Sequence, residues 1–207
     1  MGFLGFYDYT VVLTLVSLAV SVYGMTGAIQ GHFRTAILCL AISGLCDLFD
    51  GKIARTKKDR TEDEKKYGIE LDSLCDVLCF GAFPIILCYC LGMNKLIGVG
   101  VLIVYGMASV IRLAFFNVME EKRQSSEAGN REYYQGLPIT SIAIILPFVF
   151  LFRMTLGPHF LFTVHIVVII VAILFITDFR IKKPQNPVVV LILAVVALAL
   201  AKIFRLI

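Results

Sequence analysis

Charged residues are scarce in this 207-residue chain, and their scarcity excludes an ordinary soluble domain. Only 16% of the residues are Asp, Glu, Lys or Arg, whereas 59% are hydrophobic. A soluble domain needs more polar side chains than this to cover its own surface. Lipid is therefore the expected surrounding of most of the chain.

Three further absences narrow the class of protein. The net charge is +4 but no basic tail carries it, which argues against nucleic acid as a partner. The first nine residues contain no Lys or Arg and the first apolar run is long, so we expect a first membrane helix rather than a cleavable signal peptide. All six cysteines fall in apolar runs, so we expect packing residues and no disulfide framework.

Long apolar runs dominate what is present. A membrane-spanning helix needs roughly 20 mostly apolar residues. Such runs lie near residues 9–29, 33–54, 69–91, 95–118, 137–155, 159–177 and 187–206. They are too long for barrel strands, and backbone amides in hydrocarbon must be paired within their own segment, so we predict helices. The expected fold is an all-α, polytopic membrane bundle forming one domain over residues 1–207, with six core transmembrane helices and an additional helix over 187–207.

The distribution of basic residues predicts the orientation of this bundle. Seven of them follow the second run: Lys52, Arg55, Lys57, Lys58, Arg60, Lys65 and Lys66. Loops rich in Lys and Arg face the cytoplasm, and the basic segments 119–136 and 180–183 then face the same side. Only the last helix disagrees, because it ends with Lys202 and Arg205 on the opposite side. We predict a multi-pass protein of the cell membrane.

Two pairs of aspartates stand at the predicted cytoplasmic ends of the second and third runs. Asp47 and Asp50 are three residues apart, and Asp72 and Asp76 are four apart, so each pair lies on one face of its helix. Converging carboxylates repel unless cations join them, and hard oxygen ligands suit Mg²⁺ or Mn²⁺. Two such ions can clamp the attacking and leaving oxygens of a displacement at phosphorus, which predicts a two-metal enzyme of lipid-phosphate transfer.

A divalent-cation transporter is the alternative from a different class, since it also lines its pathway with carboxylates. Its ligands are expected near the bilayer midplane, often at broken helices, whereas these four cluster at one face.

Small residues beside the first pair, Gly51 and Ala54, would let a bulky group approach the helix backbone. Arg55 follows them, and its planar guanidinium suits either phosphate oxygens or an interfacial anchor.

The aspartates belong to a longer pattern. Asp47, Asp50, Gly51, Ala54 and Arg55, followed by Gly68, Asp72 and Asp76, resemble the signature of the CDP-alcohol phosphotransferase family. The blocks around Gly68 to Pro84, Arg112 to Asn117 and Gly136 to Pro138 resemble the phosphatidylserine synthases within that family. The resemblance covers residues 47–138.

This resemblance implies an activity and a set of roles. Such enzymes displace CMP from a CDP-linked lipid with the hydroxyl of a second alcohol, here L-serine attacking a CDP-diacylglycerol-type lipid, at two divalent cations. Asp47, Asp50, Asp72 and Asp76 would hold the metals, and Asp76 would also be the catalytic base. Residues of the signature would contact the CDP-lipid: Gly51, Ala54, Arg55 and Gly68. Family members are commonly homodimers, so a homodimer is expected by resemblance.

Two departures from the family pattern fall close to the site. The spacer between Arg55 and Gly68 has twelve residues, which is longer than is common in the family, so the loop that covers the nucleotide is expected to differ. The Pro-Asn pair often found at the start of the first span is replaced by Asp8-Tyr9-Thr10. No nucleotide contact is therefore predicted for the first helix.

The acceptor site is predicted from a charge within an apolar run. Arg112 lies near the inner end of the fourth run, where a cation requires an anionic partner or a wet cavity. The serine carboxylate is one such partner, and a structural ion pair with one of the aspartates is the other. Asn117, Tyr133 and Gln135 on the same side are further candidate contacts of serine. Glycerol phosphate, an inositol phosphate or choline stays open as an alternative acceptor.

Overall fold

The structure is a computed structural model that describes residues 5–54, 56, 57, 59–125 and 133–182. The additional helix predicted over 187–207 lies outside these residues. The helices are α1 (Tyr9–Ile29), α2 (Phe33–Ala54), α3 (Glu62–Asp76), α4 (Phe83–Leu91), α5 (Leu96–Ser125), α6 (Ile142–Leu151), α7 (Arg153–Leu156) and α8 (Phe160–Ile176). A π-helical segment, Val77–Ala82, joins α3 to α4 without a break.

Four helical stretches are long and apolar enough to cross a membrane. They are Tyr9–Ile29, Glu62–Leu91, Leu96–Lys122 and Arg153–Ile176. Helix α2 is 22 residues long but carries four charged side chains, and the apolar stretch Ile139–Leu151 is shorter than a typical span. The all-helical membrane bundle is therefore confirmed, while the number of six core spans stays a prediction.

The exposed face of α8 shows what surrounds the bundle. Phe162, Ile166, Ile170 and Ile173 are all exposed, and their spacing of three or four residues places them on one side of the helix. The opposite side of α8 is buried and includes Val168. An apolar surface along a whole helix would be unfavourable in water, so this face is suited to lipid.

The helix ends follow from local capping. Asp8 accepts hydrogen bonds from the backbone N–H and the hydroxyl of Thr10 and so begins α1. At the start of α3, Thr61 and Glu64 form a capping box in which each side chain accepts from the backbone N–H of the other. The helix of the third span begins at Glu62, seven residues before the predicted apolar run at residue 69, because this polar turn is capped.

Close packing of α1 against α2 and α4 forms the centre of the described bundle. A Cβ atom at Gly24 of α1 would lie 2.4 Å from a ring carbon of Phe83 and 2.6 Å from Cβ of Cys39. Phe80, Phe83 and Tyr105 have no exposed surface. The ring of Tyr105 also contacts Phe175 of α8, with centroids 5.7 Å apart. The small residue in α1 therefore allows the helices to approach closely around a core of large rings.

Two features of the fold were not predicted. The run 137–155 is not one regular α-helix, because a 3₁₀ turn (Ile139–Ser141), α6 and α7 divide it. A two-stranded antiparallel ribbon pairs β1 (Tyr133–Gln135) with β2 (Arg180–Lys182). The strands have three residues each, which is too short to show an alternating pattern in the sequence.

Candidate active site

The two predicted pairs of aspartates meet in the structure. One carboxylate oxygen from each of Asp47, Asp50 and Asp72 lies within 4.8 Å of the other two. The carboxyl group of Asp76 lies against that of Asp47. Helix α2 contributes one pair and α3 the other, and one helical turn separates the members of each pair. Four carboxylates therefore converge between two helices at one end of the bundle.

The described residues do little to neutralise the negative charge of these carboxylates. Asp50 is buried, with 7% of its surface exposed, and it accepts hydrogen bonds from the Thr14 hydroxyl (3.4 Å) and the Gly51 backbone N–H (2.5 Å). Across the described parts of the chain, no ion pair includes any of the four aspartates. Because like charges at this distance repel strongly, the cluster is suited to divalent cations.

A distorted helix turn follows Asp76 directly. The π-helical segment Val77–Ala82 widens the chain at this point, and the hydroxyl of Tyr105 donates to the carbonyl oxygen of Phe80 at 2.5 Å. The hydroxyl reaches a carbonyl inside the bundle, and both residues are fully buried. π-Helical turns occur often at functional sites. Sequence reasoning missed this feature, since nothing in the apolar run marks it.

Helix α1 supplies polar groups that sequence reasoning also missed. The hydroxyl of Ser17 donates to the carbonyl oxygen of Ser43 (3.2 Å), and the Ser43 hydroxyl donates to the carbonyl oxygen of Ser17 (3.0 Å). The hydroxyls of Ser21 and Ser43 are 2.7 Å apart. A signal exists in the sequence, because small or polar residues recur on α1 every three or four positions: Thr10, Thr14, Ser17, Ser21, Gly24 and Ala28. This stripe fixes α1 against the helix that carries Asp47 and Asp50.

Three of the four residues predicted to contact a CDP-lipid lie at the same end of the bundle. Gly51 is exposed, and a Cβ atom there would meet no atom within 4 Å, so its surface is open to a ligand. Ala54 ends α2 and is half-buried. Arg55 lies outside the described residues. Gly68 is on α3, where the guanidinium of Arg60 lies over it.

The residues predicted to contact serine are only partly brought together. Arg112 is buried, its Nε donates to the carbonyl oxygen of Leu137 at 2.8 Å, and no ion pair joins it to the four aspartates. The Asn117 side-chain oxygen accepts a hydrogen bond from Ser73 (3.0 Å), which places it beside the helix of Asp72. Gln135 belongs to β1, but its side chain, like that of Tyr133, lies outside what the structure describes.

A second charged network lies at this end. Lys57 Nζ is 2.9 Å from the Asp8 carboxylate and 3.3 Å from that of Glu64. The side-chain hydrogen bond from Thr10, assisted by Lys57, lowers the pKa of Asp8 to about 2. The hydroxyls of Tyr9 and Thr56 are also within hydrogen-bonding distance, at 3.2 Å. The start of α1 is therefore tied to the loop between α2 and α3.

These observations define a helical membrane protein with a carboxylate cluster suited to divalent cations. Comparison with known proteins makes the assignment more specific. Residues 9–177 match the CDP-alcohol phosphatidyltransferase family, which is most of the chain. The chain belongs to this family, as the signature residues indicated.

Several curated relatives share the sequence over this region. The chain is 30% identical over 148 residues to a CDP-diacylglycerol–serine O-phosphatidyltransferase of Saccharomyces cerevisiae, covering 70% of this chain and 49% of that protein. The protein of the same name from Helicobacter pylori is 30% identical over 142 residues, covering 68% and 56%. An archaetidylserine synthase of Methanothermobacter thermautotrophicus is 33% identical over 122 residues, covering 58% and 47%. The chain spans about half the length of the curated relatives it matches.

Proposed function

We propose that the protein transfers the phosphatidyl group of a CDP-diacylglycerol-type lipid to the hydroxyl of L-serine, giving phosphatidylserine and CMP. The observation that carries this proposal is the convergence of four carboxylates, those of Asp47, Asp50, Asp72 and Asp76, within one family signature. The names of the curated relatives support serine as the acceptor. A divalent-cation transporter is not favoured, because the family signature coincides with the cluster.

The four aspartates are the residues that would hold two divalent cations, Mg²⁺ or Mn²⁺. Carboxylate oxygens are hard ligands, and four of them match the charge of two such ions. The bound cations would neutralise the pyrophosphate of the donor and stabilise the departing CMP. Thr14 and Gly51 keep the Asp50 carboxylate in one orientation through their hydrogen bonds.

Asp76 is proposed to act as the general base. The serine hydroxyl oxygen forms a new bond to the phosphorus that carries the diacylglycerol, and the bond from this phosphorus to the oxygen of CMP breaks. The proton of the serine hydroxyl passes to the Asp76 carboxylate, and CMP leaves with the electron pair of the broken bond. The half-buried position of Asp76 beside Asp47 limits its contact with bulk water.

The remaining assignments concern the two substrates. Gly51, Ala54, Arg55 and Gly68 are proposed to contact the CDP-lipid, and the open surface at Gly51 supports this. Arg112, Asn117 and Gln135 are proposed to contact serine, with the Arg112 guanidinium facing its carboxylate. The contact of Asn117 with Ser73 supports a position beside the carboxylates. Glycerol phosphate, inositol phosphate and choline are the alternative acceptors.

The location of the reaction is proposed from charge and hydropathy. The basic loop after α2 supports a cytoplasmic position for the carboxylate end, with the cell membrane as the proposed location of the protein. The acyl chains of the donor would stay in the bilayer while its headgroup reaches the carboxylates. We further propose that residues 1–207 form one catalytic domain, with an additional helix over 187–207, and that two copies form a homodimer.

The decisive experiment is CMP release by the purified protein in detergent. CDP-diacylglycerol and Mn²⁺ or Mg²⁺ are supplied with L-serine, glycerol 3-phosphate, inositol phosphate, choline or no acceptor. Release that requires both serine and metal is the expected result. Release with another acceptor would keep the family reaction and refute the serine assignment, and no release with any acceptor would refute the proposed activity.

A further inference from the structure

A partly buried arginine, Arg60, lies on the loop that connects the two halves of the carboxylate site. Its Nη2 donates to the carbonyl oxygen of Glu64 at 2.9 Å, while its Nε is buried and has no hydrogen-bond partner in the described residues. None of the ion pairs found in these residues includes it. A buried donor without an acceptor is unfavourable, so Arg60 is suited to an anionic ligand.

The guanidinium of Arg60 lies over a glycine of the family signature. A Cβ atom at Gly68 would be 2.5 Å from Nη2 of Arg60 and 3.6 Å from its Cζ, so the glycine lets the guanidinium lie against the helix backbone here. Gly68, Asp72 and Asp76 are spaced four residues apart along one continuous helix, which places them on one face. The Arg60 guanidinium over Gly68 therefore lies about one helical turn from Asp72, or roughly 6 Å along the axis, and about two turns from Asp76.

We propose that Arg60 is a further binding residue for the donor, contacting the anionic cytidine diphosphate part of the CDP-lipid. This inference rests on the function proposed above and deepens it. The planar guanidinium can donate two parallel hydrogen bonds to phosphate oxygens. It also places a further positive charge beside the carboxylate cluster, which favours the binding of an anionic diphosphate there.

The charged network described above holds this loop in place. Lys57 bridges Asp8, at the start of α1, and Glu64, in the first turn of α3. Glu64 in turn caps α3 with Thr61 and accepts the hydrogen bond of Arg60. Asp8 is therefore a positioning residue, because it fixes the loop that presents Arg60 without being placed in contact with the donor.

The test compares Arg60→Gln and Arg60→Lys with the unmodified chain in detergent with Mn²⁺. Lys65→Gln is the matched control, because it removes one positive charge from an exposed position on α3, the helix that follows the loop of Arg60. The readouts are the KM values for CDP-diacylglycerol and for serine, and the equilibrium binding of CMP. Arg60→Gln is expected to raise the KM for the CDP-lipid and the Kd of CMP roughly tenfold to a hundredfold, with the serine KM unchanged. Arg60→Lys keeps the charge without the planar fork and should have a smaller effect.

Each outcome decides the inference separately from the proposed function. If the unmodified chain binds CMP and turns over, and Arg60→Gln behaves like Lys65→Gln in both readouts, Arg60 does not contact the donor. A change of the serine KM equal to that of the CDP-lipid KM would also overturn the assignment. If the unmodified chain binds added CMP but forms no CMP from CDP-diacylglycerol with any acceptor, the proposed reaction is refuted. The CMP affinity of Arg60→Gln then still decides whether Arg60 contacts the donor. If the unmodified chain does not bind CMP at all, the role of Arg60 is refuted directly.

The positioning role of Asp8 has its own readout. Limited trypsin digestion cuts after basic residues, and the loop contains Lys57 and Arg60. Asp8→Asn should speed cleavage in this loop and raise the KM for the CDP-lipid several-fold, while Asp8→Glu should restore both. Glu62→Gln is the control, since it breaks only the exposed pair with Lys65. Equal cleavage rates in Asp8→Asn and Glu62→Gln would refute the positioning role.

Discussion

The carboxylate end of the bundle and the surroundings of Arg112 differ in how their ionisable side chains are compensated. Both place ionisable side chains within helices that are otherwise apolar. Four carboxylates at the end of α2 and α3 converge on each other, and the described residues pair none of them with a cation. Arg112, by contrast, is held by the protein itself, through the carbonyl oxygen of Leu137 and the face of the Phe116 ring, 5.9 Å away.

The carboxylate cluster depends on a bound ligand more strongly than Arg112 does. A cluster of like charges is stable only when cations or protons neutralise it, so its geometry indicates metal binding directly. An arginine bonded to a backbone carbonyl is already partly satisfied, so its geometry is compatible with both a structural and a substrate-binding role. Substitutions in the two regions should therefore have different effects on catalysis, metal affinity and substrate affinity.

The most severe loss is expected at the proposed base. Asp76→Asn should lower the rate of CMP release by roughly 10²- to 10⁴-fold, because the amide cannot accept the proton of the serine hydroxyl. Binding of CDP-diacylglycerol should be retained and is measured by equilibrium binding. Asp63→Asn, at an exposed position of the same helix, is the control. A full rate in Asp76→Asn would remove this residue from the base role.

A large effect on metal affinity is expected at the other aspartates. Asp72→Asn removes one carboxylate oxygen from the cluster of three. The half-saturating Mn²⁺ concentration should rise roughly tenfold or more, since losing even an outer partner of a metal ligand costs about 10- to 100-fold. Titration of the CMP-release rate with Mn²⁺ measures this. An unchanged titration curve would show that Asp72 is not a ligand.

Replacing Arg112 is expected to affect the KM for serine selectively. Arg112→Ala should raise the KM for serine roughly tenfold to a hundredfold and leave that for CDP-diacylglycerol nearly unchanged, because the serine carboxylate loses its cation. The variant also loses the hydrogen bond from the Arg112 guanidinium to the carbonyl oxygen of Leu137, at a cost of about 1–3 kcal/mol in stability. Arg112→Lys, measured beside it, retains the charge. Equal increases in both KM values would point to a structural role alone.

Packing at the centre of the bundle is expected to tolerate little change. Gly24→Ala should lower the free energy of unfolding by about 1–3 kcal/mol, since the new methyl group would collide with Phe83 and Cys39. Gly100→Ala in α5 is the matched control, because a Cβ atom there meets nothing within 4 Å. Thermal unfolding in detergent compares the two variants. Equal Tm values would contradict the close approach of α1 to its neighbours.

The smallest effect concerns pH. The folded-state pKa of Asp8 is lowered to about 2 from an ordinary value of 3.8, so the ionised group stabilises the fold above about pH 4. This contribution is lost as the pH falls from about 4 to 2, where the carboxylate becomes protonated in both states. The Tm difference between the unmodified chain and Asp8→Asn should therefore shrink over that range. A difference that stays constant would show that ionised Asp8 adds no stability.

Much of the site could be predicted because its pattern is local. Asp47 with Asp50, and Asp72 with Asp76, lie one helical turn apart, so spacing alone places each pair on one face. The positions of Thr14, the serine pair Ser17 and Ser43, and Tyr105 could not be predicted in this way. Their partners are separated from them by tens of residues, so the contacts depend on how whole helices pack.

Hydropathy and helical spacing act over one or a few turns, so the sequence was enough to predict a helical membrane protein with aspartates as its candidate site. The packing of the helices was needed to show that both aspartate pairs meet, that a π-helical turn follows Asp76, and that Asp8 is tied to the loop of Arg60. These features depend on contacts between distant segments. Such contacts are selected by the packing of the whole bundle and leave no periodic signal in the chain.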